Sequence, residues 1–448
     1  MPPSSPAVKG KRPFTKPPTS TVKLPYTGTP STRSYVMWWG FKVSSKTAGT
    51  VYFSLLVLVL LAGIVVGRKS AVAPVKTETA LVEEGAVPIR PGPWVDLEQF
   101  PMTIAAPEEL LNVEEVEKTP VKWFFKGRTR IDLVKLFDDL QVPAAGREAL
   151  FGSGSPIGSA QGVLLTPSRE AVLALNSRAL QGIYDQLGGL NENENSRWQI
   201  LSQDLDSYGK SGISEKTTAL LKNLSSPHGK FLLCYCMPYV LSAIPTHEEK
   251  VALLKAMTLQ HTMLLKLHVT PQSDVYALTE YWGKAFWSND VKALLESIRK
   301  FPNGNRLNIL SLLPLLPKSL LYTYPMPQNP QLGPPVIKNC SWTAFNFFRD
   351  PPDPRFSDPN YVVERLKTDY RPLQTDPRFG DVMVLLSPDD ELLHTAVYVA
   401  DGIVYTKNGD NPVHPWMLST LADLTDFFSV ELPPGRNLKV QYFRDNHY

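Results

Sequence analysis

The longest unbroken apolar pattern in the chain runs from Ala48 to Gly67, AGTVYFSLLVLVLLAGIVVG, with no charged position. As a helix it would extend roughly 30 Å, the thickness of a bilayer hydrocarbon core. Lys42 and Lys46 flank one end and Arg68 and Lys69 the other. Tyr35, Trp38, Trp39 and Phe41 sit just before the run, where amphipathic rings suit a membrane interface. Pro74 directly follows the Ala-x-Ala candidate Ala71-Val72-Ala73, and a long n-region precedes the run, so a cleaved signal peptide is disfavoured. The pattern predicts a single uncleaved transmembrane helix over 48–67.

Further along, the spacing turns helical. Thr166-Pro167 opens a helix whose stripe is Val172, Leu175, Ala179, Ile183 and Leu187, stopped by Gly188-Gly189. Thr246-His247-Glu248-Glu249 reads as a capping box ahead of Leu253, Leu254, Met257, Leu264 and Leu265. A third helix is expected over Asp290–Lys300. Prolines and glycine at 325–335 mark a boundary, and beyond it the period changes to two. Asp381–Ser387 reads as a strand, His394–Asn408 as two β-runs around the Asp401-Gly402 turn, and Leu438–Arg444 as a closing strand. The expected fold is α+β. A tail at 1–47, the membrane helix and a linker at 68–106 precede a helical domain at 107–324 and an α+β domain at 331–448.

Charge sets the orientation. The first fifty residues hold eight of the 46 Lys/Arg and none of the 43 Asp/Glu. The positive-inside rule then keeps the N-terminus cytoplasmic and places residues 70–448 outside the inner membrane. The same stretch carries eight prolines and is expected to be disordered. Its cations suit anionic lipid headgroups, although a topogenic and solubilising role is the simpler reading. A formal charge of +3 is far from the basic excess of a dedicated nucleic-acid binder.

Few residues promise chemistry. Cys234 and Cys236 read as buried small hydrophobes two apart on a helix, facing opposite ways. His261 and His268, seven apart, lack a matching carboxylate for a metal. Without a phosphate loop or dinucleotide fingerprint, no cofactor and no metal are expected. Cys340 differs. Trp342, Phe345 and Phe348 follow it at helical spacing, placing it at a helix start, where free N–H groups and the macrodipole favour negative charge on a nucleophile. His394 opens a strand 54 residues later and is the candidate base.

That arrangement, with Gly380-Asp381-Val382-Met383-Val384-Leu385 before a strand and then His-Thr-Ala-Val-Tyr-Val-Ala-Asp-Gly, resembles the NlpC/P60 family of papain-like cysteine peptidases over residues 335–448. The order Cys then His separates it from the circularly permuted branch. The resemblance implies a cysteine amidase or endopeptidase acting outside the cytoplasm on peptidoglycan stem peptides. Cys340 would be the nucleophile, its backbone N–H part of an oxyanion hole, and His394 the general base. Asn339 replaces the family's Asp before the cysteine, and Trp342 replaces a glycine. The family's third polar residue falls at Thr406. A three-residue hairpin loop would instead bring Asn408 onto the face of His394, making Asn408 the expected orienting residue and Thr406 the reserve. A strict two-residue loop would turn Lys407 there. His414 is a weaker partner, and Asp401 serves the turn. The alternative reading is a catalytically inactive papain-like module with a structural or binding role; acyl transfer by the same dyad is a third.

Overall fold

The computed structural model describes residues 85–448 apart from 152–156, 160–161, 189–192, 194–195, 285–286, 327–335, 433–435 and 448. Among the described residues no helix is long and apolar enough to cross a membrane. The longest α-helices among the described residues have 11 residues, about 16 Å, against the roughly 20 residues a bilayer requires. The expected anchor over 48–67 lies outside the described residues. The structure therefore does not support the single-pass anchor, the inner-membrane localisation or the extracytoplasmic placement.

The helical reading of 107–324 is also corrected. Helices there alternate with strands, which form two three-stranded sheets and contribute to a four-stranded one. The long strand β2 (Gln260–Val269) shows why. Its inward positions Met263, Leu265, Leu267 and Val269 alternate with the partly exposed Leu264, Lys266 and His268, a period of two. The capping-box helix begins at His247 under the Thr246 cap and stops at Met257. β2 pairs antiparallel with β1 (Leu97–Ile104) from Leu97↔Leu267 to Ile104↔Gln260. The chain thus leaves the ladder at Ile104, builds a lobe, and returns beside its point of departure.

That lobe is built on a core from Ala106 to Met257, centred on Trp123, Phe137, Tyr184 and Tyr235 and joined by Val430 of the C-terminal region. The helix expected after Thr166-Pro167 is split in two, Arg169–Leu173 and Ser177–Leu187, because Ser168 and Asn176 each cap a fresh N-terminus. Cys234 and Cys236 do not share a helix. Cys234 ends a strand and Cys236 precedes a helix, and their buried sulfurs lie 3.9 Å apart.

A second core joins β1 and β2 to the C-terminal region, running through Trp282, Phe379, Val397 and Trp416. The C-terminal region contains a six-stranded sheet. Its strands are β3 (Tyr370–Pro372), β4 (Val382–Leu386), β5 (Leu392–Ala400), β6 (Ile403–Lys407), β7 (Trp416–Thr420) and β8 (Lys439–Asp445). They lie in the order β3-β8-β4-β5-β6-β7, every neighbour antiparallel. Helix α1 (Cys340–Phe345) packs on one face of this sheet and α3 (Leu421–Ser429) on the other, while α2 (Pro359–Thr368) leads into β3. Both faces of β5 are buried, which is why its sequence, LLHTAVYVA, shows little polar alternation.

The sheet is tied to the rest of the molecule by Asp381, just before β4. Arg444 donates to both of its oxygens at 2.9 and 2.6 Å, Arg378 donates its backbone N–H at 2.7 Å, and Lys284 lies at 3.4 Å. Burial raises the carboxyl, but the bonds from Arg444 and the charge of Lys284 outweigh it and hold the pKa below its usual value. Gly380 adopts φ +85°, and a Cβ there would come within 2.5 Å of the Phe348 ring, so the Gly-Asp pair is an anchoring device.

Candidate functional site

Cys340 is the first residue of α1. Asn339 caps the helix: its side chain accepts from the Trp342 N–H at 2.9 Å, and its amide donates to the Ser357 carbonyl at 3.1 Å. Asparagine thus does the capping work an aspartate would do, without a charge. Cys340 is partly exposed, whereas Cys234 and Cys236 are buried. The helix turns Ser341 towards the sheet, where the Thr395 hydroxyl donates to its Oγ at 3.3 Å.

Thr395 on this face places His394 on the other, since successive residues of a strand point to opposite sides. The His394 ring is 1% exposed and stacks on Phe428 of α3, centroids 4.3 Å apart. Its Nε2 lies 2.8 Å from Thr406 Oγ1, and its Nδ1 has no partner. Thr406 Oγ1 lies in turn 3.5 Å from Asn408 Oδ1, so the three side chains form one chain of polar contacts. Burial first, and the charge of Lys407 second, lower the imidazole to about 3 and keep it neutral.

The hairpin explains which residues meet. Asp401 (φ +43°) and Gly402 (φ +73°) make a two-residue turn between the paired Ala400 and Ile403. A bulge between Tyr398 and Ala400 adds one residue to β5 and restores the pairing Val397↔Tyr405. Thr406 and Asn408 therefore share the His394 face, and Lys407 turns to the side of α1. The structure brings together three of the four expected residues, His394, Thr406 and Asn408. It leaves Cys340 across the sheet from them.

On the cysteine side the sheet presents Lys407, which a two-residue turn without the bulge would have set beside His394. It is fully buried, yet its ammonium donates to the carbonyls of Gly409 (2.9 Å) and Asn411 (3.1 Å). It also lies 5.9 Å from the centre of the Trp416 ring, whose indole N–H donates to Thr343 of α1 at 2.9 Å. Burial lowers this lysine to about 8, against the opposing influence of Asp410 and Cys340. His414 donates from Nδ1 to the Asn408 carbonyl at 2.5 Å, and burial brings it to about 4.

A cleft of about 290 Å³ opens between the lobe and the C-terminal sheet, on the side of His394. The lobe and β2 supply Trp198, Asp204, Tyr208, Lys230 and His261, and the sheet side supplies Asn408, Asp410, His414, Asp423 and Phe427. Two ion pairs cross it: Arg197 to Glu431 at 3.0 Å, and Lys230 to Asp423 at 2.7 Å with Asp426 at 3.1 Å. His261 Nε2 sits 2.9 Å from Asp204, whose hydrogen bond raises the imidazole above its usual value. The Tyr208 hydroxyl, in a residue 1% exposed, has no partner. His261 and His268 lie on β2 at an odd offset and face opposite ways, and no group of three or more His, Cys, Asp or Glu able to hold a metal occurs among the described residues. No family model, curated protein or solved structure matches the chain.

Proposed function

We propose that this chain is a binding protein, its 331–448 domain a papain-like scaffold of the NlpC/P60 kind that does not work as a hydrolase. The carrying observation is that His394 is buried against Phe428 on the sheet face opposite α1. An imidazole there cannot take the proton of Cys340 or return one to a leaving amine, because general base catalysis needs the two groups within hydrogen-bond reach. The bond chain His394–Thr406–Asn408 instead runs from the core to a residue lining the cleft, which suits a role in fixing that wall. The test is incubation of the full chain and its Cys340→Ala variant with purified cell-wall stem peptides. Neither should release new amines; release by the unmodified chain alone would restore the peptidase.

A second reading is favoured by Lys407. It shares a sheet face with α1, and an amine at about 8 can accept a thiol proton near neutral pH. Cys340 would then be an acyl-accepting nucleophile with Lys407 as its base. On that reading Lys407→Met slows iodoacetamide labelling of Cys340 at least tenfold; on the binding reading the rate stays within about twofold.

A further inference from the structure

We infer that the cleft between the lobe and the C-terminal sheet is a site for a small organic cation, an amine carrying an apolar body. This rests on the reading of the chain as a binding protein and names the ligand class. The volume, about 290 Å³, is at the lower end of the range for small-molecule pockets and fits one compact ligand. Four carboxylates line it, Asp204, Asp410, Asp423 and Glu431, against two fixed cations, Arg197 and Lys230. Both cations already hold carboxylates across the cleft, so neither is free to receive an anion. His261 pairs with Asp204, which favours its charged form, so the excess is two negative charges with that imidazole neutral and one with it protonated.

Tyr208 points to where the cation would sit. A buried phenol without a hydrogen-bond partner is costly, and a ligand N–H would satisfy it. Tyr208 lies four residues after Asp204 on the Ser202–Ser211 turn, and the Asp204 carboxylate acts on it electrostatically. Asp204 already accepts from His261 Nε2, and its carboxylate keeps lone pairs for a second donor. An ammonium placed between Asp204 and Tyr208 would donate to the carboxylate and to the phenol oxygen, both charge-assisted bonds. Trp198 and Phe427 offer aromatic surface for the rest of the molecule.

The experiment is calorimetric titration of the full chain with phenethylamine, and with phenylacetate as the counterpart of similar size and opposite charge. Phenethylamine should bind at least tenfold more tightly than phenylacetate. Asp204→Asn should weaken it about tenfold or more, and Tyr208→Phe, which keeps the ring and its packing, about three- to tenfold. Melting temperatures of both variants show that they remain folded. Phenylacetate binding as well or better, no heat from either compound at millimolar concentration, or binding unchanged in folded Tyr208→Phe would each overturn the assignment. Amine release dependent on Cys340 from stem peptides would overturn the binding-protein reading alone, leaving the phenethylamine titration to decide the cleft.

Discussion

The two faces of the C-terminal sheet carry the same kinds of residues and have different chemical prospects. On one, α1 brings a half-exposed thiol beside Ser341, Thr395 and a buried lysine. On the other, α3 seals a neutral imidazole against Phe428, with Thr406 and Asn408 beside it. Neighbours in sequence, His394 and Thr395, belong to different sites. The lesson is that strand parity, which a single bulge can invert, decides whether a set of catalytic residue types becomes a catalytic set.

The strongest way to break this comparison is to release the sheet from its anchor. Asp381→Ala leaves Arg444 and Lys284 with no carboxylate in a nearly closed site, and it should cost about 3–5 kcal/mol, measured by denaturant unfolding. A loss under 1 kcal/mol would mean that the ion cluster is incidental to the fold.

Exchanging the two neighbours tests parity directly. His394→Thr combined with Thr395→His moves the imidazole to the side of α1, at an expected cost of roughly 1–3 kcal/mol for crowding a packed face. Iodoacetamide should then label Cys340 several-fold faster near pH 7, while His394→Phe alone should leave the rate unchanged. Slower labelling in His394→Phe would show that ring and thiol communicate in the native protein.

The third effect is in acid. An unfolded histidine titrates near 6.5, whereas burial holds His394 to about 3, so below pH 6.5 the unfolded chain takes up a proton that the folded one refuses. Stability present above pH 6.5 is therefore lost as pH falls towards 3. Between pH 6.5 and 4.5 the native chain should lose roughly 2–3 kcal/mol more than His394→Phe, at about 1.36 kcal/mol per pH unit. Parallel denaturant curves at the two pH values read this difference.

Local signals were well written in the sequence. The Asp401-Gly402 turn, the strands around it and the start of α1 at Cys340 follow from turn chemistry, alternation and capping. Two things were not legible. The stretch around β2 is rich in leucine and follows a strong capped helix, so its period of two is masked by an apparent continuation of that helix. The bulge at Tyr398/Ala400 leaves no mark of its own: Asn408 and His394 share a face through a two-residue turn plus that bulge, in place of the expected three-residue loop. The separation of His394 from Cys340 depended on which face of β5 receives α1, a tertiary fact carried by the packing of Thr395 and Phe428. Tyr208 and Asp204, in the plain segment QDLDSYGK, gave no warning that they would line a cleft.

The meeting of Ile104 with Gln260 across one ladder has a consequence for how such a molecule can be assembled. Everything between those two positions is, topologically, the loop of a hairpin. A short turn could close the same ladder, and residues 105–259 could be cut out or transplanted as a cassette with adjacent ends. The cleft exists only while that cassette is in place, so whatever it recognises could change by exchange of one contiguous stretch of chain, leaving the C-terminal scaffold untouched.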